Sequence, residues 1–211
     1  AKALQAIQSF DKNVLAYGPS EGSLAYRQKM CSYFAKHNIE VQPDDILVTT
    51  GASEAIIMTL DCITNEGDEL IIPEPFYANY DTFAAASGVK VVPVSSTIDS
   101  NFSLPPIDVI EGKINAKTRA IFICNPNNPT GHVYSKKELN DLATLVKKHD
   151  LFLIVDEVYR EFIYDGAVHH SVLTISGLEE HAILVDSMSK RYSMCGARIG
   201  CLVSKNKEVM D

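Results

Sequence analysis

The chain has 211 residues, of which 46% are apolar, 22% charged and 8% aromatic. That is the profile of an ordinary globular protein, long enough to fold around its own core without disulfide or metal staples. Nineteen Lys and Arg stand against 27 Asp and Glu, a formal charge of −8, and so acidic a surface disfavours nucleic acid and anionic lipid as partners. No apolar run approaches the roughly 20 residues that span a bilayer. The opening segment Ala1-Lys2-Ala3-Leu4-Gln5-Ala6-Ile7 has no initiator Met and no signal-peptide core with a cleavage site, and it reads as the interior of a helix in an excised domain. Cys31, Cys62, Cys124, Cys195 and Cys201 are scattered, odd in number and without a C-x-x-C pair. They read as reduced thiols, and the expected location is the cytoplasm.

In chain order, the first helical pattern covers 23–37, with Ser23 as its cap, and a strand follows at 46–49. A helix over 52–64 comes after the Thr49-Thr50-Gly51 turn, then a strand at 70–73, a helix over 76–87 and a strand at 89–94. A weaker helical stretch at 107–115 precedes a strand at 120–124. The clearest helix is 135–149, where Ser135 is followed three residues later by Glu138 in a capping box. Strands at 151–155, 183–186 and 199–203 complete the set. Several strands are near-continuous runs of Val, Ile, Leu and Phe, as expected where both faces are covered. Strand-helix alternation without repeat or linker predicts one α/β domain with a mainly parallel sheet.

Ligands of open α/β sheets sit outside the carboxyl ends of the strands, so the residues that follow each strand matter most. They are Gly51-Ala52-Ser53, Glu74-Pro75-Phe76-Tyr77, Asn125-Pro126-Asn127-Asn128-Pro129-Thr130-Gly131, Asp156-Glu157-Val158-Tyr159 and Ser187-Met188-Ser189-Lys190. All five clusters are expected on one rim. Lys190, among hydroxyls and near Arg198, is expected to be poorly solvated when charged, which frees its amine for Schiff-base chemistry; the alternative is a surface lysine in a loop. Asp156 ends a strongly apolar strand, where a carboxylate needs a cation or several donors. A protonated pyridine nitrogen is one such cation, and a structural Asp that caps the next element is the alternative. Tyr159 stands close enough in sequence to reach the phenolic oxygen of the same ligand, or else packs half-buried. The Asn127–Gly131 stretch reads as a turn, because residues before Pro leave the α region and Gly tolerates positive φ; Asn128 can also donate to an anionic oxygen. Gly51, Ala52 and Ser53 open a helix whose free N–H groups suit a phosphate, with Ser187, Ser189 and a bidentate Arg198 available to the same group. Neither a P-loop nor G-x-G-x-x-G occurs. A metal site at His169-His170 is not expected, since adjacent residues project apart and the flanking Asp165-Gly166-Ala167 reads as a loop.

The Asn125–Gly131 motif, the Asp156–Tyr159 motif, and Ser187–Lys190 with Gly196-Ala197-Arg198-Ile199-Gly200, in that order, resemble the fold-type-I pyridoxal-phosphate-dependent aminotransferases of the aspartate aminotransferase kind, class I/II. The resemblance spans residues 1–211 and matches the large cofactor-binding domain. It implies a three-layer α/β/α fold with a seven-stranded, mostly parallel sheet whose last strand is antiparallel. It implies that Lys190 forms the Schiff base and moves a proton, that Asp156 meets the pyridinium nitrogen, and that Asn128 and Tyr159 bond the 3′ oxygen. Ala52 and Ser53 (with Gly51 before them), Ser187, Ser189 and Arg198 resemble the phosphate cup, and Tyr77 resembles the aromatic that stacks on the ring. Tyr17 resembles the tyrosine that reaches the phosphate of a neighbouring subunit, which implies a homodimer. The implied activity is amino-group transfer between an amino acid and a 2-oxo acid, by default aspartate and 2-oxoglutarate. A C–S β-lyase, a decarboxylase or a non-catalytic cofactor-binding module are the alternatives. Family members also carry an N-terminal arm and a C-terminal small domain, with the arginine that grips the substrate α-carboxylate in the latter, and neither matches these 211 residues.

Overall fold

The strands of this chain are apolar on both faces because helices cover both faces. The computed structural model describes residues 2–11, 13, 14 and 16–211, apart from the side chain of Ala3. Its elements are α1 (Lys2–Gln8), α2 (Leu24–Ala35), β1 (Ile46–Thr49), α3 (Ala52–Ile63), β2 (Glu69–Glu74), α4 (Asn79–Ala86), β3 (Lys90–Ser95), α5 (Ile107–Glu111), β4 (Thr118–Cys124), α6 (Lys136–Lys148), β5 (Phe152–Asp156), β6 (Ala182–Ser187), β7 (Gly200–Ser204) and α7 (Lys207–Met210). The seven strands form one sheet in the order β1-β7-β6-β5-β4-β2-β3. Pairing is parallel from β3 through β6, and β7 runs antiparallel to both β6 and β1. The expected seven-stranded, mostly parallel sheet with an antiparallel last strand is therefore present.

Alternation along the strands divides the core in two. Ala120, Phe122 and Cys124 of β4, Ile154 of β5 and Ile183 and Val185 of β6 pack with Ala55, Ile56 and Leu60 of α3 and Tyr80 and Ala84 of α4. Their neighbours Ile121, Ile123, Leu153, Val155 and Leu184 face the other way, against Met30 and Phe34 of α2, Ile110 of α5 and Leu139, Leu142 and Val146 of α6. The sheet is thus the middle of three layers. The same parity continues past the apolar residues. Asp156 and Ser187 fall on the α3/α4 side of the sheet, and Asp186 falls on the α2/α6 side.

Most boundaries lie within two residues of the sequence expectation, and the differences have local causes. α4 starts at Asn79 rather than 76, because residues 76–78 make the turn out of β2, closed by Tyr80 N–H donating to Tyr77 O (2.9 Å). α5 stops at Glu111, with Gly112 following it. Ser23 holds the N-cap position of α2, but its hydroxyl makes no capping bond. Ser135 does cap α6: its Oγ accepts from Glu138 N–H (3.2 Å), while Glu138 Oε2 accepts from Ser135 N–H (2.7 Å). Glu138 also accepts from His132 Nε2 (3.2 Å) and Leu104 N–H (2.8 Å), and these donors hold its carboxyl down at about 2 against the opposing effect of burial.

Replacing Ser135 with Ala removes one side of that reciprocal cap and should lower stability by about 1 kcal/mol. Urea denaturation of the Ser135→Ala variant beside wild type measures this.

Candidate active site

The carboxyl ends of the strands open into a cleft of about 190 Å³ lined by Ala52, Ser53, Tyr77, Asn128, Asp156, Tyr159, Ser187, Ser189, Lys190 and Arg198. Ile56, Tyr80, Phe83, Val158 and Cys195 complete the lining. The register explains the convergence. Cys124 pairs with Asp156 and Asp156 with Val185, so β4, β5 and β6 end level with one another. Gly51 lies behind the lining: it has φ +83° and N-caps α3, and a Cβ there would collide with the Arg198 guanidinium. A Cβ on Gly200 would lie 2.5 Å from Gly51 C and 2.7 Å from Ala52 N. Two glycines thus let the arginine and β7 approach the amino end of α3. Tyr17 does not line the cleft, and its side chain is fully exposed.

Asp156 is buried, 5% exposed. Tyr80 Oη donates to its Oδ2 (2.8 Å) and Val158 N–H to its Oδ1 (3.1 Å). The second bond is local, from the residue two positions on, and closes the turn that follows β5. Among the described residues no cation pairs with it, and burial pushes its carboxyl up to about 6 in spite of the two donors. Tyr80 is itself packed on Phe122, 4.3 Å between ring centres, and burial beside Asp156 holds its phenol well above the ordinary value. Tyr80 was not legible as a site residue, since in a helical stretch it reads as core. Its three-residue spacing from Tyr77, which puts both on one side of a helical turn, is the signal that could have found it.

The remaining groups are held by their neighbours around the cleft. Tyr77 meets Tyr80 edge to face, 5.5 Å between centres, and its Oη accepts from Asn79 Nδ2 (2.7 Å). The asparagine turn is tied internally: Thr130 N–H and Oγ1–H donate to Asn127 Oδ1 (3.1 and 2.9 Å), and Gly131 has the expected positive φ, +75°. Asn125 anchors the turn to β5, its N–H donating to Asp156 O (2.9 Å). Ser187 Oγ donates to Ser189 Oγ (2.7 Å) and accepts from Ser189 N–H (2.9 Å). Among the described residues Arg198 donates only to main-chain oxygens, Cys195 O (2.8 Å) and Thr50 O (3.3 Å), and no carboxylate pairs with it. Lys190 Nζ lies 5.7 Å from the centre of the Tyr159 ring. Poor solvation of Lys190 is not met, because in this chain its side chain is exposed at the mouth of the cleft. His169 turns inward, its Nε2 within 3.2 Å of Asn125 O and 3.7 Å of Glu157 Oε2. Among the described residues no three His, Cys, Asp or Glu cluster as metal ligands.

The family model for aminotransferase class I and II matches residues 1–211. The chain belongs to that family. It is 36% identical over 197 residues to an aspartate aminotransferase of Pyrococcus abyssi, covering 92% of this chain and 50% of that protein. It is 35% identical over 201 residues to aromatic-amino-acid aminotransferase 2 of Thermococcus litoralis, covering 94% and 51%. The crystal structure of an aspartate aminotransferase from Thermotoga maritima superposes with a TM-score of 0.90 at 30% identity, over 99% of this chain and 54% of that one. The chain spans about half the length of the relatives it matches.

Aminotransferases of this family depend on pyridoxal phosphate, and the donor set of the cleft fits that group. A buried carboxylate with no cation suits a protonated ring nitrogen. An arginine without a carboxylate, two serines and the amino end of the 12-residue helix α3 suit a phosphate. A lysine amine and a tyrosine line the same cleft.

The Asp156 carboxyl has a definite consequence for stability. Its folded value, about 6, lies above the ordinary 3.8, so the folded state holds this proton more tightly than the unfolded one. The contribution of this one group to stability therefore falls as pH rises from about 4 to about 6, by roughly 3 kcal/mol, and levels off above. Asp156→Asn removes this dependence. Urea titrations of the cofactor-free chain from pH 4 to 7 should show the variant gaining on wild type across that window; a constant gap would contradict the assignment.

Proposed function

We propose that the protein transfers an amino group between an amino acid and a 2-oxo acid, with aspartate and 2-oxoglutarate as the default pair, and that residues 1–211 are its large cofactor-binding domain. The observation that carries this reading is the meeting of Asp156, Lys190 and Arg198 at one cleft, an uncompensated buried anion, an amine and an uncompensated guanidinium. When bound, pyridoxal phosphate supplies an electron-withdrawing ring that stabilises negative charge developing at the substrate Cα.

The residues divide that work by chemistry. Asp156 holds a proton on the ring nitrogen, because a charge so deeply buried favours a cation at contact, and Tyr80 and the Val158 N–H fix the carboxylate that does so. Asn128 and Tyr159 bind the ring's 3′ oxygen, and Tyr77 covers one ring face. The N–H groups of Ala52 and Ser53 behind Gly51, the hydroxyls of Ser187 and Ser189, and Arg198 bind the phosphate. Lys190 anchors the group covalently through Nζ. When not engaged in that bond, the Lys190 Nζ would take the proton from the substrate Cα and return it one position away. The binding set does not by itself choose which bond at Cα breaks.

The working unit in this reading is a homodimer in which Tyr17 reaches the phosphate of its neighbour. The exposure of Leu4, Ile7, Phe10, Val14 and Tyr17 in one segment supports a covering partner there. No helix among the described residues is long and apolar enough to cross a membrane, and five cysteines without a disulfide suit a reducing cytoplasm.

The chain incubated with pyridoxal phosphate should show a visible band that borohydride converts to a stable adduct on the Lys190 peptide, and Lys190→Ala should lose both. Equal behaviour of the two proteins would defeat the reading. In the full-length protein Lys190→Ala should cut transfer at least about 1,000-fold. Pyruvate and ammonia released without an oxo-acid acceptor would instead identify a β-lyase.

A further inference from the structure

Directly beneath the cleft, on the opposite side of the sheet, lies a buried charge cluster that takes no part in the chemistry above. Asp186 and Glu157 are fully buried, and Arg160 is 3% exposed. Arg160 donates through Nε and Nη2 to Glu157 Oε2 (3.2 and 3.0 Å) and through Nη1 to Asp186 Oδ2 (3.2 Å). Glu157 Oε1 also accepts from Ser171 Oγ and Val172 N–H, both at 2.9 Å. The second cation of the cluster is Arg191, the residue after Lys190. Its side chain is 3% exposed, and its Nη2 donates to Asp186 Oδ2 and to Ser187 O (3.1 Å). The guanidinium stacks 4.3 Å from the centre of the Tyr33 ring of α2, and Tyr33 Oη in turn donates to Glu161 Oε1 (2.7 Å).

Two buried acids and two arginines pair here, with the part-exposed Glu161 Oε1 3.8 Å from Arg191 Nη1 at the edge of the cluster, whereas among the described residues no cation pairs with Asp156 above. Burial of the Arg191 guanidinium carries a cost, since its Nε has no partner among the described residues. The main chain around it has few ties of its own. Residues 188–194 form turns held by Met188 N–H to Ile199 O (3.0 Å), Tyr192 N–H to Met188 O (a long 3.4 Å), Ser193 N–H to Lys190 O (3.0 Å) and Met194 N–H to Ser189 O (3.1 Å), with Ser193 at φ +51°. Consecutive side chains thus leave this loop toward opposite sides, Lys190 into the cleft and Arg191 into the cluster.

We infer that Arg191, gripped by Asp186 and the Tyr33 ring, is a positioning residue that fixes the loop carrying Lys190. The part of this inference that concerns Lys190 rests on the cofactor reading above; the clamp itself does not. Parity makes the device possible. Asp186 and Ser187 are neighbours on β6 facing opposite layers, so the same strand end offers a hydroxyl to the cleft and a carboxylate to the clamp. Arginine suits the position because its fork can bond Asp186 and the Ser187 carbonyl together while sitting over the Tyr33 ring, which a lysine cannot do with the same geometry.

The test compares wild type with Arg191→Gln, Arg191→Lys and Tyr33→Leu. Amide hydrogen exchange of the cofactor-free chain should be about tenfold faster at 188–194 in Arg191→Gln, with the amides of β4, β5 and β6 unchanged. Pyridoxal phosphate should bind that variant about tenfold more weakly, with a diminished induced circular dichroism of the bound chromophore, and Arg191→Lys should recover part of both. Unchanged exchange at 188–194 overturns the clamp. Faster exchange with unchanged binding and dichroism overturns the positioning of Lys190. If Arg191→Gln does not fold, Tyr33→Leu decides, because it leaves the charges paired: a threefold or larger change in both readouts supports the inference and no change overturns it. A wild-type chain without a cofactor band defeats the functional reading instead, while the exchange measurement still decides the clamp.

Discussion

A carboxylate buried at the end of a parallel strand costs several kcal/mol unless cations or donors meet it, and in this chain Asp156 is met by donors only. Much of the cleft follows from accommodating that group. Tyr80 must be buried to reach it, so α4 has to pack against Phe122 with its tyrosine facing the strand ends. Tyr77, three residues earlier, is thereby set at the rim. The β4 turn is tied to the main chain of Asp156 itself, which aligns the asparagine motif with the carboxylate. A fold that keeps such a charge without neutralising it within the chain is less stable than it could be, and its sites of lower stability are where a charged ligand gains most.

The sheet separates two electrostatic situations by a single layer of backbone. Above it lie an anion, an amine and a guanidinium with no ionic partners among the described residues; below it two buried carboxylates and two guanidiniums pair with one another. The antiparallel return of β7 adds Arg198 to the upper set, because it brings that strand's amino end to the rim where the parallel strands have their carboxyl ends. Close approach at Gly51 and Gly200 then lets the arginine lie over the start of α3.

Much of this was legible in order along the chain. Apolar runs marked every strand, the Ser135–Glu138 box marked α6, and the polar clusters after β1, β2, β4, β5 and β6 all line one cleft, as expected of an open sheet. What escaped the sequence depended on partners distant along it. Tyr80 is separated from Asp156 by 76 residues, and Arg191 from Tyr33 by 158, so nothing near either residue hints at its contact. Local chemistry also overstated some features. Ser23 occupies a capping position without making the bond, and Lys190 is exposed although its neighbours suggested enclosure.

Identity and spacing along the chain were enough to determine the layered α/β class, the site-bearing strand ends and the membership in an aminotransferase family, because period, turn chemistry and short motifs are local properties. Which face each strand-end acid would take was decided only in three dimensions. A one-residue step along β6 separates Ser187, beside the cleft, from Asp186, in the clamp, and only the packing of α2 on one layer and α3 on the other makes that step consequential. Burial and partner set, and with them the raised carboxyl of Asp156, are properties of the assembled layers rather than of any segment.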